Sequence, residues 1–516
     1  MKLLLPALAA LAWTAHGQTV EGRVTNAATG RPVAGATVVL QGGTDSYVVD
    51  TDDNGRFRAS DVVPGQYEAR ATRDGFTALA RGAAAKTHPR FVMEAGRNVR
   101  DIGVWLVPLG AISGRVMDGD GDPARKGWVA ALGYSYGGGK KELREVGRSA
   151  TDDRGEYRVS GLPPGIYFLR FSPGPVLMNF QMSSLRVLGT KPAYALGTTY
   201  YPASADTAGA TPVELPPGGE VRDRAILVHP EQLYTIRVTL MAPTGGGSAP
   251  AIGVSSPNGM GLMMSAQYGV TRSFPDSAPG SYLVEGRDST AGLDMQRWVK
   301  VVNSDVDVTL TPTPNVTLGG LVWADGGRRL ALDEVRVSLH AEDAYKETTA
   351  KADGTFSIQR IQPVPYNIGV SVPAGGYLKA IRLGERVLAG PQIDLSGSTA
   401  AFEILLGTDG GRVHGTVSDA GGAPAEGAVV VAVPAGRLRE WTDLVRSATA
   451  DRDGKFELRD LAPGDYRIFA WEDAEEGAPL DADFRRPFEA RGVDVRVEAN
   501  GREEVQLRSI SLLAGK

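Results

Sequence analysis

The sequence predicts an all-β protein, built as a tandem array of β-sandwich domains. Three observations carry that expectation. A block of the form Asp-x-Gly-x-aromatic, then apolar-x-Pro-Gly-x-Tyr, recurs at a spacing of about one hundred residues. Short runs of alternating apolar and polar residues lie between Gly- and Pro-rich turns at regular intervals. Helical periodicity is scarce, and 66 Gly and 32 Pro among 516 residues suit a turn-rich chain.

The first two blocks are Thr51-Asp-Asp-Asn-Gly-Arg-Phe57 with Pro64-Gly-Gln-Tyr67, and Thr151-Asp-Asp-Arg-Gly-Glu-Tyr157 with Pro164-Gly-Ile-Tyr167. Ala352-Asp-Gly-Thr-Phe356 with Pro363-Val-Pro-Tyr366, and Asp451-Arg-Asp-Gly-Lys-Phe456 with Pro463-Gly-Asp-Tyr466, complete the set. In each copy the tyrosine stands twelve residues after the turn glycine, which is Gly55, Gly155, Gly354 or Gly454. A hairpin explains the fixed spacing. Gly takes the positive φ that other residues resist, and Asp bonds its own backbone. Phe57, Tyr157, Phe356 and Phe456, two residues on, point to one face of the next strand. Val62, Leu162, Ile361 and Leu461 share an apolar position further along. Pro-Gly supplies a second turn, in which Gly65, Gly165 and Gly464 are expected to hold the left-handed position. Tyr67, Tyr167, Tyr366 and Tyr466 then bury their rings and return the hydroxyl to backbone, as in a tyrosine corner. These are turn and core residues, not chemical ones.

Each block is framed by two further strands. Upstream lies a Gly-x-Val strand: Val20–Val24, Ile112–Val116, Leu318–Val322 and Val413–Val417. Downstream come five closing strands, Asp101–Val107, Asp223–Val228, Val306–Leu310, Ala401–Leu406 and Glu503–Leu507. Five closing strands predict five units: 18–108, 109–231, 232–313, 314–408 and 409–516. The third is degenerate. It keeps Pro279-Gly-Ser-Tyr282, but Val270 stands where the turn glycine belongs, and Asn258–Met264 reads as an irregular loop. Each unit is large enough to bury its own core without disulfides. Joints as short as Pro108–Ala111 predict units strung end to end.

Residues 1–17 read as a signal peptide, with Lys2, the apolar run Leu3–Trp13 and the small residues Ala15 and Gly17 before Gln18. That run falls short of the roughly 20 residues a membrane span needs. An exported protein is therefore expected, soluble in the periplasm or outside the cell, with no transmembrane segment after cleavage. The absence of Cys excludes a disulfide framework. A net charge of −5, mixed along the chain, leaves no basic stripe, so nucleic acid is not an expected partner.

The Gly-x-Val strand, the run Pro32-Val-Ala-Gly-Ala-Thr-Val-Val-Leu40 and the repeated block resemble the carboxypeptidase regulatory-like domain. The resemblance implies a Greek-key, transthyretin/Ig-like β-sandwich, grouped by fold with carbohydrate-binding-like modules and collagen-adhesin repeats. It is strong in units one, two and five, moderate in four and weak in three. Thr198-Thr-Tyr-Tyr-Pro202 and the ending Ala470-Trp-Glu-Asp473 … Arg486-Pro-Phe488 … Arg491-Gly492 are similar to exported bacterial proteins made of such repeats. A shared fold does not transfer a function.

No catalytic, cofactor-binding or metal-binding set emerges, and no cofactor is expected. His88, His229, His340 and His414 are scattered, and none opens a His-x-x-Glu pair. Nucleophile-elbow, phosphate-loop and dinucleotide motifs are absent. Gly137–Lys141 reads as a hairpin tip, and Asp118–Asp122 as turn carboxylates lacking the closing Glu of a calcium loop. Sugar recognition is the sharper positive reading, because aromatic faces on exposed strands stack on a sugar's C–H face. The candidates are Tyr134, Tyr136, Trp298, Trp323 and Trp441. Trp441 precedes Arg446-Ser-Ala-Thr449 as the two tyrosines precede Arg148-Ser-Ala-Thr151. The competing reading at each is packing against a neighbouring unit. The expected function is a non-catalytic exported array that recognises carbohydrate or envelope polymer through its sandwich-end loops. A structural scaffold or spacer that binds a protein partner is the alternative, and an enzyme with an unrecognised site is the third.

Overall fold

A computed structural model describes residues 18–511, apart from 44, 79–88, 125–126, 138, 174–193, 243–249, 257–260, 289–290, 292, 312–315, 342–344, 362–363, 396–400, 473 and 476. The signal-peptide reading, His88, Pro363 and positions 258–260 of the expected irregular stretch lie outside the described residues, whereas Gly261–Met264 is not irregular but part of a strand, Gly261–Ser265, paired with Pro250–Ser255. The chain is all-β, in tandem sandwiches. It divides into two compact units: Met1–Ala111 with Gly161–Gly165 and Leu215–Glu220, and the remainder from Ile112 onward. Among the described residues no helix is long and apolar enough to cross a membrane.

In the smaller unit the Gly-x-Val strand Val20–Asn26 lies inside its sheet. It runs antiparallel to Arg56–Ala59 and parallel to Val99–Pro108. The closing strand thus returns to lie beside the opening one. The facing sheet orders Ser46–Asp50, Thr37–Gln41, Gly65–Thr72 and Arg90–Met93. Alternation puts Val38, Leu40, Phe57, Tyr67, Ala69 and Val104 in the core between the two sheets.

The larger unit repeats the plan. Val316–Asp325 pairs antiparallel with Thr355–Ile361 and parallel with Phe402–Gly407. Gly411–Ser418 pairs likewise with Lys455–Leu461 and Arg502–Arg508. The degenerate segment keeps the same topology, with Tyr234–Leu240 between Thr271–Ser277 and Val306–Leu310. In the second sandwich Ile226–Leu227 pairs in parallel with Val116 and Met117. That sandwich also carries a long hairpin, Gly127–Gly137 with Lys140–Ala150.

The register explains the Gly-x-Val signature. Gly22, Gly320 and Gly415 sit opposite Phe57, Phe356 and Phe456, the aromatic residues that follow the turn. A Cβ on Gly22 or Gly320 would collide with that ring, and on Gly415 with the Val505 carbonyl. The aromatic ring therefore covers a bare backbone. In the third sandwich Ile236 faces Phe274, which is nonetheless buried, so the fold survives loss of this glycine.

The first turn is built as the spacing predicts. Gly55, Gly155, Gly354 and Gly454 have φ of 69°, 74°, 81° and 74°. Their carbonyls accept the N–H of Val24, Val116, Val322 and Val417 at 2.7–2.8 Å, which locks the turn onto the Gly-x-Val strand. The working carboxylate, however, stands three residues before the glycine in three copies. Asp52 Oδ1 accepts from Asn54 and Arg56 at 2.9 and 2.8 Å. Asp152 and Asp451 do the same in the copies built on Gly155 and Gly454. In the fourth copy Asp353 takes the Thr355 N–H instead, at 2.9 Å.

The second turn needs correction. Gly464 has φ 151°, but Gly65 and Gly165 do not hold a positive φ. The left-handed residue lies earlier, at Asp61, Gly161 and Asp460, just before the buried Val62, Leu162 and Leu461. The tyrosine corner is present where its partner is resolved to a carbonyl. Tyr67 donates to the Val63 carbonyl at 3.0 Å, and Tyr282 to that of Ala278 at 2.8 Å. Each carbonyl lies four residues upstream of its ring.

Two expectations about independent, end-to-end units fail inside the larger unit. Trp441 and Leu444 of the fifth sandwich belong to the core cluster of the fourth, beside Val337, Tyr366 and Val370. The hairpin tip of the second sandwich touches the fifth: Lys141 N–H donates to Asp481 Oδ2 at 3.0 Å, and the Tyr136 and Phe484 ring centroids are 5.8 Å apart.

Candidate functional site

The aromatic candidates are placed in three different ways. Trp441 is 4% exposed and sealed in a shared core, so it offers no face to a ligand. It sits between two short 3-10 turns, Gly436–Glu440 and Thr442–Leu444, which fold the loop back into the neighbour. Sequence periodicity cannot show that burial, because the covering surface belongs to another sandwich. Trp298 (38% exposed) and Trp323 (44%) face outward on strands, as their alternation implies. They lie in separate sandwiches, and neither has a second aromatic ring near it among the described contacts.

Tyr134 and Tyr136 stand on the long hairpin. Tyr134 is 40% exposed, but its ring is occupied. The Lys141 ammonium lies 4.0 Å above it, and the edge of Phe168 meets it at 5.6 Å. Trp128, on the same strand and not singled out by sequence, is likewise covered by Arg148 at 5.1 Å. Its signal was alternation out of phase with the buried Val129.

Tyr136 also meets another ring, Phe484, edge to face at 5.8 Å, but it does so at the wall of a cleft. With Gly139, Lys140 and Lys141 it forms one wall of a cleft of about 580 Å³, and Asp481, Ala482, Asp483 and Phe484 form the other. The far wall is a single helical turn, Ala482–Arg485. Asp481 caps it, accepting the Asp483 N–H at 2.7 Å, while its other oxygen takes Lys141 N–H from across the cleft. One carboxylate thus starts the helix and ties the two walls. Behind Phe484 lies an aromatic stack: Phe469 on Trp471 at 5.2 Å, with Phe488 at 5.7 Å from Phe484. That stack gives the closing motif around Trp471 and Phe488 a structural meaning. Arg485 lies beneath it, almost fully buried, donating to the Pro479 carbonyl at 2.7 Å. Burial and the neighbouring Arg439 pull its guanidinium below its usual range, while Glu489 and Asp481 hold its charge.

The chemistry available here is recognition. The cleft is lined by the Tyr136 and Phe484 rings, Lys140 and Asp483, while the Lys141 ammonium is engaged on the Tyr134 ring. Among the described residues no group of three His, Cys, Asp or Glu side chains is gathered as metal ligands would be. Asp118 serves its own turn, Oδ1 accepting from Asp120 and Asp122 at 3.1 and 2.9 Å. Asp419 repeats that arrangement in the fifth sandwich.

The chain is an all-β array in which, inside the larger unit, the fourth and fifth sandwiches share a core and the second and fifth meet at a cleft. Residues 19–96 and 412–508, the first and fifth repeats, match the carboxypeptidase regulatory-like domain. The match covers these two segments and leaves the rest of the chain outside it. No curated protein matches it. Among solved structures it is similar to the TIE protein of Bacillus anthracis, at 11% identity and a TM-score of 0.19, covering 58% of this chain and 51% of that one. It therefore spans about half the length of that protein. It is similar also to a major pilin subunit of Bacillus cereus, at 13% identity, TM-score 0.16, covering 58% and 99%. A minor pilin of Streptococcus agalactiae follows at 13%, TM-score 0.23, covering 41% and 95%. Likeness of this size carries no functional inference.

Proposed function

We propose that the protein is a non-catalytic, exported binding array that recognises carbohydrate or another hydroxyl-rich envelope polymer. The observation that supports it is the Tyr136 cleft, where two rings from different sandwiches flank charged groups suited to hydroxyls. Sugar rings present an apolar C–H face to such aromatics, while their hydroxyls meet Lys140 and Asp483 at the rim. A second reading, a scaffold that recognises no polymer, is favoured by Trp441 and Tyr134, whose rings are spent on internal contacts.

The test is a glycan and polysaccharide panel on the intact mature chain. The best binder should lose at least about tenfold in affinity in Tyr136→Ala, since a stacking contact is worth roughly 1–3 kcal/mol. Tyr136→Phe should retain it. An empty panel would leave the scaffold reading in its place. Binding that survives Tyr136→Ala but fails in Trp323→Ala or Trp298→Ala would move the site.

A further inference from the structure

A second cleft, of about 500 Å³, lies between the fourth and fifth sandwiches of the larger unit. Its lining includes Arg328, Arg412, Arg502, Asp409, Asp460 and Thr408. The two carboxylates are committed to holding the junction. Asp409 Oδ1 accepts the Tyr377 hydroxyl at 2.8 Å, and its carbonyl accepts the Asn500 N–H at 2.7 Å. Asp460 Oδ2 accepts the Gly375 N–H at 2.9 Å, joining the two sandwiches. Asp460 and Asn500 hold φ of 57° and 54°, an uncommon backbone state for non-glycine residues.

The cations are in the opposite condition. Arg412 meets Glu457 only at 3.4 Å, and Arg328 and Arg502 have no hydrogen-bond or ion-pair partner among the described residues. The Arg328 guanidinium is nevertheless placed, because it lies directly over Gly375, where a Cβ would come within 2.7 Å of it. Unanswered arginines turned toward one cleft repel each other unless an anion joins them.

We infer that this cleft binds a carboxylate borne on a hydroxyl-rich ligand, a uronic-acid sugar unit, with Arg328 and Arg502 gripping the carboxylate. Among the described residues each aspartate has one oxygen without a donor, and both line the cleft, where sugar hydroxyls can be accepted. The same two carboxylates oppose a phosphodiester chain, whose charge repeats at every unit and which carries few hydroxyls. The site is separate from the Tyr136 cleft, and it stands or falls on its own residues.

The experiment is calorimetric titration of the intact protein with an oligogalacturonate, a neutral malto-oligosaccharide of the same length, and inorganic sulfate. The oligogalacturonate should bind and weaken as salt is raised, because exposed arginines are screened. Affinity should fall at least about tenfold in the Arg328→Gln/Arg502→Gln double variant, both side chains being exposed. Arg58→Gln/Arg100→Gln, which removes equal charge from a surface ladder elsewhere, should leave binding intact. Absence of oligogalacturonate binding overturns the inference, as does an equal loss in both double variants. Sulfate binding as tightly as the oligogalacturonate would replace the uronate with a free-anion site.

Discussion

At the scale of single residues, two glycines of one repeat have unequal roles. Gly155 holds φ 74°, and a Cβ there would collide with the Val116 carbonyl that the turn faces. Gly165 sits outside the left-handed region. Gly155→Val should therefore destabilise the second sandwich by about 2–4 kcal/mol, while Gly165→Val should cost roughly 1 kcal/mol or less. Thermal unfolding with limited proteolysis of that sandwich reads the difference, and equal damage from both would contradict it. Asp443 is a second case. Its carboxylate accepts the Val370 N–H at 2.9 Å at the joint of two sandwiches. Burial pushes its pKa above the ordinary carboxylate range, against the pull of Val370, Arg446 and His340. A raised folded pKa means that the associated stability is complete below the unfolded value and is lost as pH climbs through the folded one. Asp443→Asn should thus gain on the parent protein as pH rises from acid toward neutral. Unfolding curves across that range that stay parallel would refute it.

At the scale of elements, the loop Gly436–Leu444 is the informative case. It connects two strands of the fifth sandwich, yet its Trp441 and Leu444 complete the core of the fourth. Trp441→Ala should open a cavity there and cost about 3–5 kcal/mol. The consequence is a loss of protection in the strands Arg336–His340 and Pro365–Ser371, which hydrogen exchange resolves. If exchange quickens only within the fifth sandwich, the packing described is wrong. Tyr134→Ala, by contrast, removes a cation–ring contact at the surface, and its effect should stay near 1 kcal/mol or less.

Within the larger unit, the contacts between the second and fifth sandwiches include one backbone amide bond and one ring contact. Lys141 and Asp481 are 340 residues apart in sequence. Asp481→Ala should release the Lys141 amide to exchange and loosen the turn Ala482–Arg485, while the inner strand Gly127–Gly137 stays protected. Unchanged exchange at Lys141 would show that the two walls of the Tyr136 cleft do not hold together in solution.

What the sequence by itself determined is the first turn's glycine and the strand alternation, though not the left-handed residue of the second turn. The turn glycines, the aromatic two residues on, the buried Val62, Leu162, Ile361 and Leu461 and the tyrosine corner follow from φ preferences and period-2 alternation. Those forces act within a dozen residues, so they are written in the spacing. Even so, the partner of each Gly-x-Val glycine was hidden, because Gly22 and Phe57 meet only through strand register. Tertiary structure alone decided which aromatics are available. Trp441 reads on sequence like Tyr136, with comparable flanks and strand neighbours. One is buried by the fourth sandwich, and the other faces Phe484 across a cleft. Burial is a property of the surface that arrives from elsewhere in the chain, and no periodicity of the residue's own segment encodes it.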